Sequence, residues 1–296
     1  MNLKIKQNLV FRLNCIFVSD IHGKIKLYEK LFQITKKEKP DAVFLGGDLL
    51  PKIFKIESDM DDFVNHNIFS KIRDIKYEIN KEIRFFIILG NDDPRMYEHI
   101  FEEADKKNLI NYVHNKTIRF KGLYIAGYSC IPPTPFHLKD WERYDISRYV
   151  DVGAISPEKG KRTVNVPSDK IKYVTIAEDL NELSKNLFMD KTIFHFHSPP
   201  YNSFLDRADL YGKMVDHAPL DVHVGSIAIQ QFINKKQPFL TLHGHVHESA
   251  RLTGYWKEKF GRTYSFTAAH DGSELALIRF DTNNLENASR ELIPIS

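Results

Sequence analysis

Five short stretches of the chain carry side chains able to bind a metal ion, and each follows an apolar run. In order they offer Asp20 with His22, Asp48, Asn91 with Asp92, His197, and His245 with His247. The last stretch, His243-Gly244-His245-Val246-His247, directly follows Phe239-Leu240-Thr241-Leu242. Residues two apart on an extended segment point the same way, so a chain that stays extended past Leu242 aims His245 and His247 at one point. Gly244 allows a tight turn there. Every donor is oxygen or nitrogen and none is Cys, which suits a hard or borderline divalent ion (Mn, Fe, Zn, Ni or Co) rather than a structural thiolate zinc site. The donors are too many for one ion and about right for two with a bridging carboxylate. Asp48, alone in a glycine-flanked turn, is the natural bridge.

Each position also has an ordinary reading. Asp48 could be a turn residue accepting backbone N–H groups, and Asn91 a turn Asn. His197 competes with His195, and the following Ser198-Pro199-Pro200 favours His197. His243 competes with His245. Arg207, in Leu205-Asp206-Arg207, offers a guanidinium for phosphate or is simply solvated. His223 stands just before Ser226, which reads as a helix N-cap, and is either a site residue or structural.

The elements that must position these residues alternate along the first half. Residues 11–18 read as a strand, 24–38 as an amphipathic helix ended by Pro40, and 41–45 as a short strand. The stretch 57–82 has helical periodicity, 83–89 is a third strand, and a helix covers about 95–107. This β-α-β-α-β order implies a parallel or mixed sheet covered by helices. Residues 110–130 look like a hairpin. Residues 131–174 form the longest irregular stretch and read as an insertion beside the site, with Trp141 as its core aromatic. Thr175 and Glu178 have capping-box spacing and open a helix to about Leu187. Thr192–Phe194 and Pro238–Leu242 are strands, 226–236 is helical, and the end alternates as antiparallel strands. The sum is two sheets with helices outside, and residues 1–296 are expected to be one domain.

The composition narrows the class. A 296-residue chain with 42% hydrophobic content builds a sizeable core. The net charge of +3 has no long basic runs, so nucleic acid is not the expected partner. Cys15 and Cys130 lie among apolar residues, which fits a reducing cytoplasm. Met1-Asn2-Leu3-Lys4-Ile5-Lys6 lacks a secretory apolar core, and no stretch approaches about 20 apolar residues, so no membrane span is expected.

The pattern Asp20-x-His22, Gly47-Asp48, Gly90-Asn91-Asp92, His197, Gly244-His245-x-His247 resembles the calcineurin-like metallophosphoesterases, with five motifs in the family's order. The stretch from His197 through His223-Val224-Gly225-Ser226 to Ser249 is similar to bacterial and archaeal phosphoesterases related to the cyclic-AMP phosphodiesterase branch. The resemblance implies an α/β fold of two mixed β-sheets packed as a four-layer α/β/β/α sandwich. It also implies two divalent ions that make hydroxide available to attack a phosphate ester. Asp20, His22 and His247 would hold one ion, Asn91, His197 and His245 the other, and Asp48 would bridge. The resemblance also settles the terminal contest for His245. Asp92 stands where the family often has a catalytic His. A carboxylate there repels a phosphate dianion and serves as an acid only with a raised pKa, so diesters are expected over monoesters. The expected partner is a small phosphorylated molecule, with a nucleotide and a homo-oligomer both allowed. The competing functions are an inactive interaction scaffold, which would be expected to lose ligands, and a nuclease, which would need a basic groove with aromatics.

Overall fold

The computed structural model describes residues 12–51, 59–79 and 82–295. Phe11, the N-terminal hexapeptide and residues 57, 58, 80 and 81 of the 57–82 periodic stretch lie outside the described residues. The first half runs β1 (Asn14–Val18), α1 (Ile25–Glu38), β2 (Ala42–Gly46), α2 (Met60–Val64), α3 (Ser70–Glu78), β3 (Arg84–Ile88), α4 (Glu98–Lys106) and β4 (Asn111–Tyr112). A π-helical turn, Asn65–Phe69, joins α2 to α3 and keeps Ile68 and Phe69 on the buried side. Then come β5 (Thr117–Phe120), β6 (Leu123–Tyr128), α5 (Ser168–Tyr173), α6 (Ile176–Leu183), β7 (Thr192–Phe196), β8 (Met214–Val215) and β9 (Ala218–Pro219). The chain closes with α7 (Ile227–Lys236), β10 (Leu240–His243), α8 (Ser249–Thr253), β11 (Lys257–Phe260), β12 (Thr263–Thr267), β13 (Leu275–Asp281) and β14 (Asn284–Ile293).

Two six-stranded mixed sheets result, in the orders β14-β13-β1-β2-β3-β4 and β11-β12-β10-β7-β6-β5. In the first, β1 to β4 are parallel, and β13 and β14 are antiparallel. In the second, β12, β10, β7 and β6 are parallel, with an antiparallel strand at each edge. Alternation along each strand assigns two faces. Cys15, Phe17, Phe44, Phe86, Ile88, Ile193, Leu242 and Phe266 share the core between the sheets. Ile16, Val18, Val43, Leu45, Phe85 and Ile87 face the helical side with Leu27, Leu31 and Phe101. Burial of each such side chain contributes about 1.5–3 kcal/mol.

Helix ends follow the local chemistry. The capping box of Thr175 and Glu178 forms in both directions, but α6 stops at Leu183 rather than near Leu187, because Ser184 closes the last turn on Leu180. Ser226 caps α7 by accepting the Ile229 N–H. The irregular stretch is fastened to the rest of the chain. Trp141 is fully buried and donates to the Asp93 carbonyl at 2.7 Å, and Asp145 accepts from Ser226 Oγ and from the Ile227 and Ala228 N–H groups. Lys139 and Glu142 form an ion pair buried on both sides. Among the described residues no helix is long and apolar enough to cross a membrane.

Candidate metal centre

The parallel strands β1, β2, β3, β7 and β10 all end at the edge where the candidate donors meet, the usual location for ligands in such sheets. Asp20, His22, Asp48 and His247 each offer an atom such that all four lie within 4.8 Å of one another. His247 Nε2 is 3.2 Å from Asp20 Oδ1 and 3.1 Å from His22 Nε2. His22 Nε2 is 3.9 Å from Asp48 Oδ2. Beside this group, His197 Nε2 is 3.4 Å from Asp48 Oδ2 and 3.1 Å from Asn91 Oδ1. The His245 ring centroid is 5.3 Å from that of His197. Asp48 therefore faces imidazoles on both sides.

Strand parity explains the choice among histidines. His197 has the parity of Ile193 and points between the sheets, where its Nδ1–H donates to the Gly46 carbonyl at 2.7 Å and leaves Nε2 for the centre. His195 has the same parity one pair earlier. It is fully buried edge-on against Phe17 and Phe44, with no hydrogen bond to either nitrogen. His243 faces the other side, with Nδ1 at the Ser198 carbonyl and Nε2 at Thr241 Oγ1, so both nitrogens are used.

The extended path expected past Leu242 is not found. β10 ends at His243, and His245 has φ +73°. That turn separates the two rings, placing His247 by Asp20 and His245 by His197. Gly244 is needed for space rather than for its dihedral: a Cβ there would lie 2.7 Å from Asp20 Oδ2. At Gly90 a Cβ would lie 2.3 Å from Asp48 Oδ1.

Asp20 (φ +57°), His22 (+48°) and Asp48 (+52°) also occupy the left-handed region, each at a cost of order 1–3 kcal/mol. Three backbone bonds lock two of these turns together, from Asp20 N–H to Gly47 O, His22 N–H to Asp48 O and Gly23 N–H to Leu49 O. Asp93, which the sequence reading passed over, adds a brace. Its buried carboxylate accepts the N–H groups of Leu49, Leu50 and Gly90, so it ties the turn after β2 to the turn after β3. Nothing in its residue type separates it from neighbouring Asp92, and only its complete burial marks it.

The electrostatics ask for cations. Burial raises Asp48 and Asp20, yet neighbouring imidazoles outweigh it: His197 and His22 hold Asp48 far below the usual carboxylate range, and His247 lowers Asp20. Burial pulls His197 and His247 down, but Asp48 carries His197 up to about 10, and Asp20 carries His247 up to about 9. Burial leaves His245 neutral, at about 3. Protons on His197 and His247 thus occupy the place of positive charge. A buried Nδ1 of His22 without a hydrogen bond, two imidazole Nε2 atoms facing at 3.1 Å, and all-oxygen-and-nitrogen donors fit divalent metal ions.

A family model described as calcineurin-like phosphoesterase matches residues 13–249. The chain belongs to that family. Its fold matches solved structures of low identity. TT1561 of Thermus thermophilus is 17% identical at TM-score 0.55, covering 96% of this chain and 100% of that one. A dimetal phosphatase from Danio rerio is 11% identical at TM-score 0.52, covering 91% and 92%. No curated protein sequence matches the chain.

Three remaining candidates fall differently around this family's centre. Asp92 is at it: its N–H donates to Asp48 Oδ1 at 2.8 Å, and its Oδ2 is 3.7 Å from His22 Nδ1. Arg207 and His223 do not join the donors. They line a separate cavity of about 420 Å³ beside α8.

Proposed function

We propose that the protein hydrolyses phosphoric esters, and diesters in preference to monoesters, with two divalent ions at this centre. Asp20, His22 and His247 would hold one ion and Asn91, His197 and His245 the other, with Asp48 shared between the two donor groups. The observation that carries this reading is Asp48, with imidazole nitrogens at 3.4 Å and 3.9 Å from one of its oxygens and the donors grouped to either side. When bound, two such ions acidify water near neutral pH and offset charge on the phosphoryl oxygens. The chain's own residues fix the donors, and Asp92 sets the charge limit. Its carboxylate beside His22 disfavours a second negative charge on the substrate, and a diester carries only one.

The test compares bis-p-nitrophenyl phosphate with p-nitrophenyl phosphate in the presence of Mn, Ni, Co, Fe, Mg or Zn. Hydrolysis of the diester at the higher kcat/KM, stopped by chelator, is expected. No turnover with any of the six metals would refute the hydrolase, and a monoester preference would refute the role given to Asp92.

A further inference from the structure

Arg207 and His223 pair across an isolated antiparallel bridge, so their side chains leave the same face. They open onto the cavity between the loop after β7 and α8. The His223 ring is held in place. Its Nδ1 is 2.7 Å from Asp206 Oδ1, and the fully buried Asp206 also accepts N–H groups from Asn202, Ser203 and Gly225. Nδ1 donates to that carboxylate, which leaves Nε2 for a ligand. The Arg207 guanidinium makes no hydrogen bond or ion pair among the described residues, although the residue is partly buried.

The rest of the lining selects the ligand. Phe204, stacked on Tyr255 at 4.5 Å, and the exposed Tyr211 supply aromatic faces. Glu258 uses Oε2 to accept the Phe204 N–H and has its other oxygen to spare. Asp209 also lines the cavity, so one guanidinium stands against two carboxylates. That balance does not suit phosphate. It suits a neutral flat ring with donors and acceptors on its edge. Arg207 would donate to such a ring, Glu258 and His223 Nε2 would accept from it, and the aromatics would stack.

The cavity adjoins the metal centre through α8, which starts directly after His247 and Glu248. Leu252 of that helix lines the cavity, five residues along the chain from His247. The Glu248 carboxylate accepts the Asp209 N–H at 3.1 Å, which ties the cavity loop to the ligand segment.

We propose that this cavity binds a nucleobase-type heteroaromatic ring carried on one ester arm of the substrate. The ring site rests on its own lining; only its link to a substrate rests on the phosphoesterase reading. The test titrates guanosine, adenosine, cytidine and uridine, all without phosphate, into the full chain with chelator present, followed by calorimetry and saturation-transfer NMR. Saturable binding of at least one nucleoside is expected, weakened about tenfold or more in both R207A and E258Q. With metal restored, R207A should raise KM for a nucleoside phosphodiester while leaving kcat near its original value.

The ring assignment is overturned if no nucleoside saturates, if both variants bind as the parent does, or if inorganic phosphate displaces the nucleoside. Hydrolysis of nitrophenyl esters without nucleoside binding overturns the ring site and leaves the hydrolase standing. Nucleoside binding without hydrolysis under any metal does the reverse.

Discussion

The two sheets bring different chemistry to the shared edge. Strand ends of the first sheet supply Asp20, Asp48, the Asn91 amide and one imidazole, His22. Those of the second supply only imidazoles, His197, His245 and His247. The first half is therefore anionic and oxygen-rich, and the second is neutral until protonated. Neither half is self-sufficient. Carboxylates facing each other without a cation repel, and burial keeps the His245 imidazole neutral, at about 3, even with Asp48 and Asp20 nearby. Meeting across the gap, the imidazoles keep the carboxylates ionised, and the carboxylates hold protons on His197 and His247 that a metal ion must displace. The backbone follows the same division: three of the four left-handed candidate ligands belong to the first sheet, whose turns Asp93 ties together.

The sharpest way to break this comparison is at Asp48, the residue facing imidazoles of both sheets. Asp48→Asn should lower kcat/KM by at least about a thousandfold. It should also reduce bound metal, read by elemental analysis, well below two ions per chain. Two tightly held ions in that variant would show that the halves do not share a ligand. Next come single losses on either side. His247→Asn should weaken the ion shared with Asp20 and His22, and His197→Asn the ion shared with Asn91 and His245, each by about 10–100-fold or more in affinity. Equal loss of both ions from either variant would mean that the two positions are too coupled to divide.

Acidity separates the halves further. Without metal, His197 and His247 have folded pKa values raised to about 10 and about 9, so the folded chain keeps protons that the unfolded chain releases above about 6.5. Their stabilisation is complete below pH 6.5 and disappears as pH rises towards 9–10. The chelated protein should lose melting temperature over that window, and the metal-loaded protein should not, because ions take the place of the protons. Apparent metal affinity should rise with pH by about tenfold per unit for each proton displaced. A metal-free protein whose melting point is flat from pH 6.5 to 10 would refute the proton placement.

Smaller effects test the support behind the centre. His195, buried and unpartnered, has its folded pKa pushed down to about 3 by burial and by His197 and His243. Its contribution is intact above pH 6.5 and is lost as pH falls towards 3. By linkage, His195→Leu should relieve about 2 kcal/mol of acid sensitivity between pH 7 and pH 5, measured by urea unfolding. An unchanged pH slope would place the charge elsewhere. Trp141→Phe keeps a six-membered aromatic ring but trims the buried indole and removes its N–H bond from the irregular stretch, which follows a strand of the second sheet, to the Asp93 carbonyl of the first. About 1 kcal/mol of stability should go with it. If the variant is as stable as the parent, that bond does not help to join the halves.

Much of this was legible in the sequence because strands and ligands share one rule. Parity places Phe17, Phe44 and Ile193 between the sheets, and the same count carried past β7 aims His197 at the centre. The order of the motifs was legible for the same reason, each sitting where an apolar run stops. Where the rule lapsed, so did the reading. A left-handed turn at His245 has no signature when the residue is not Gly, and the extended path failed there. The α6 overshoot came from apolar residues that continue past the last hydrogen-bonded turn. Asp93 could not be told from Asp92 by type. The difference is that Asp93 is wholly buried and satisfied by three backbone N–H groups, whereas the Asp92 side chain remains 31% exposed.

The aromatic layer between the sheets has a consequence beyond cohesion. Because the candidate oxygen donors and His22 hang from one sheet and the other candidate imidazoles from the second, Phe17, Phe44 and Phe86 act as a spacer gauge. Thickness added or removed there changes the gap between donors at the edge, with no ligand touched. Conservative exchanges in this layer, Phe to Leu or Phe to Tyr, thus change the spacing of the candidate donors through residues that touch none of them.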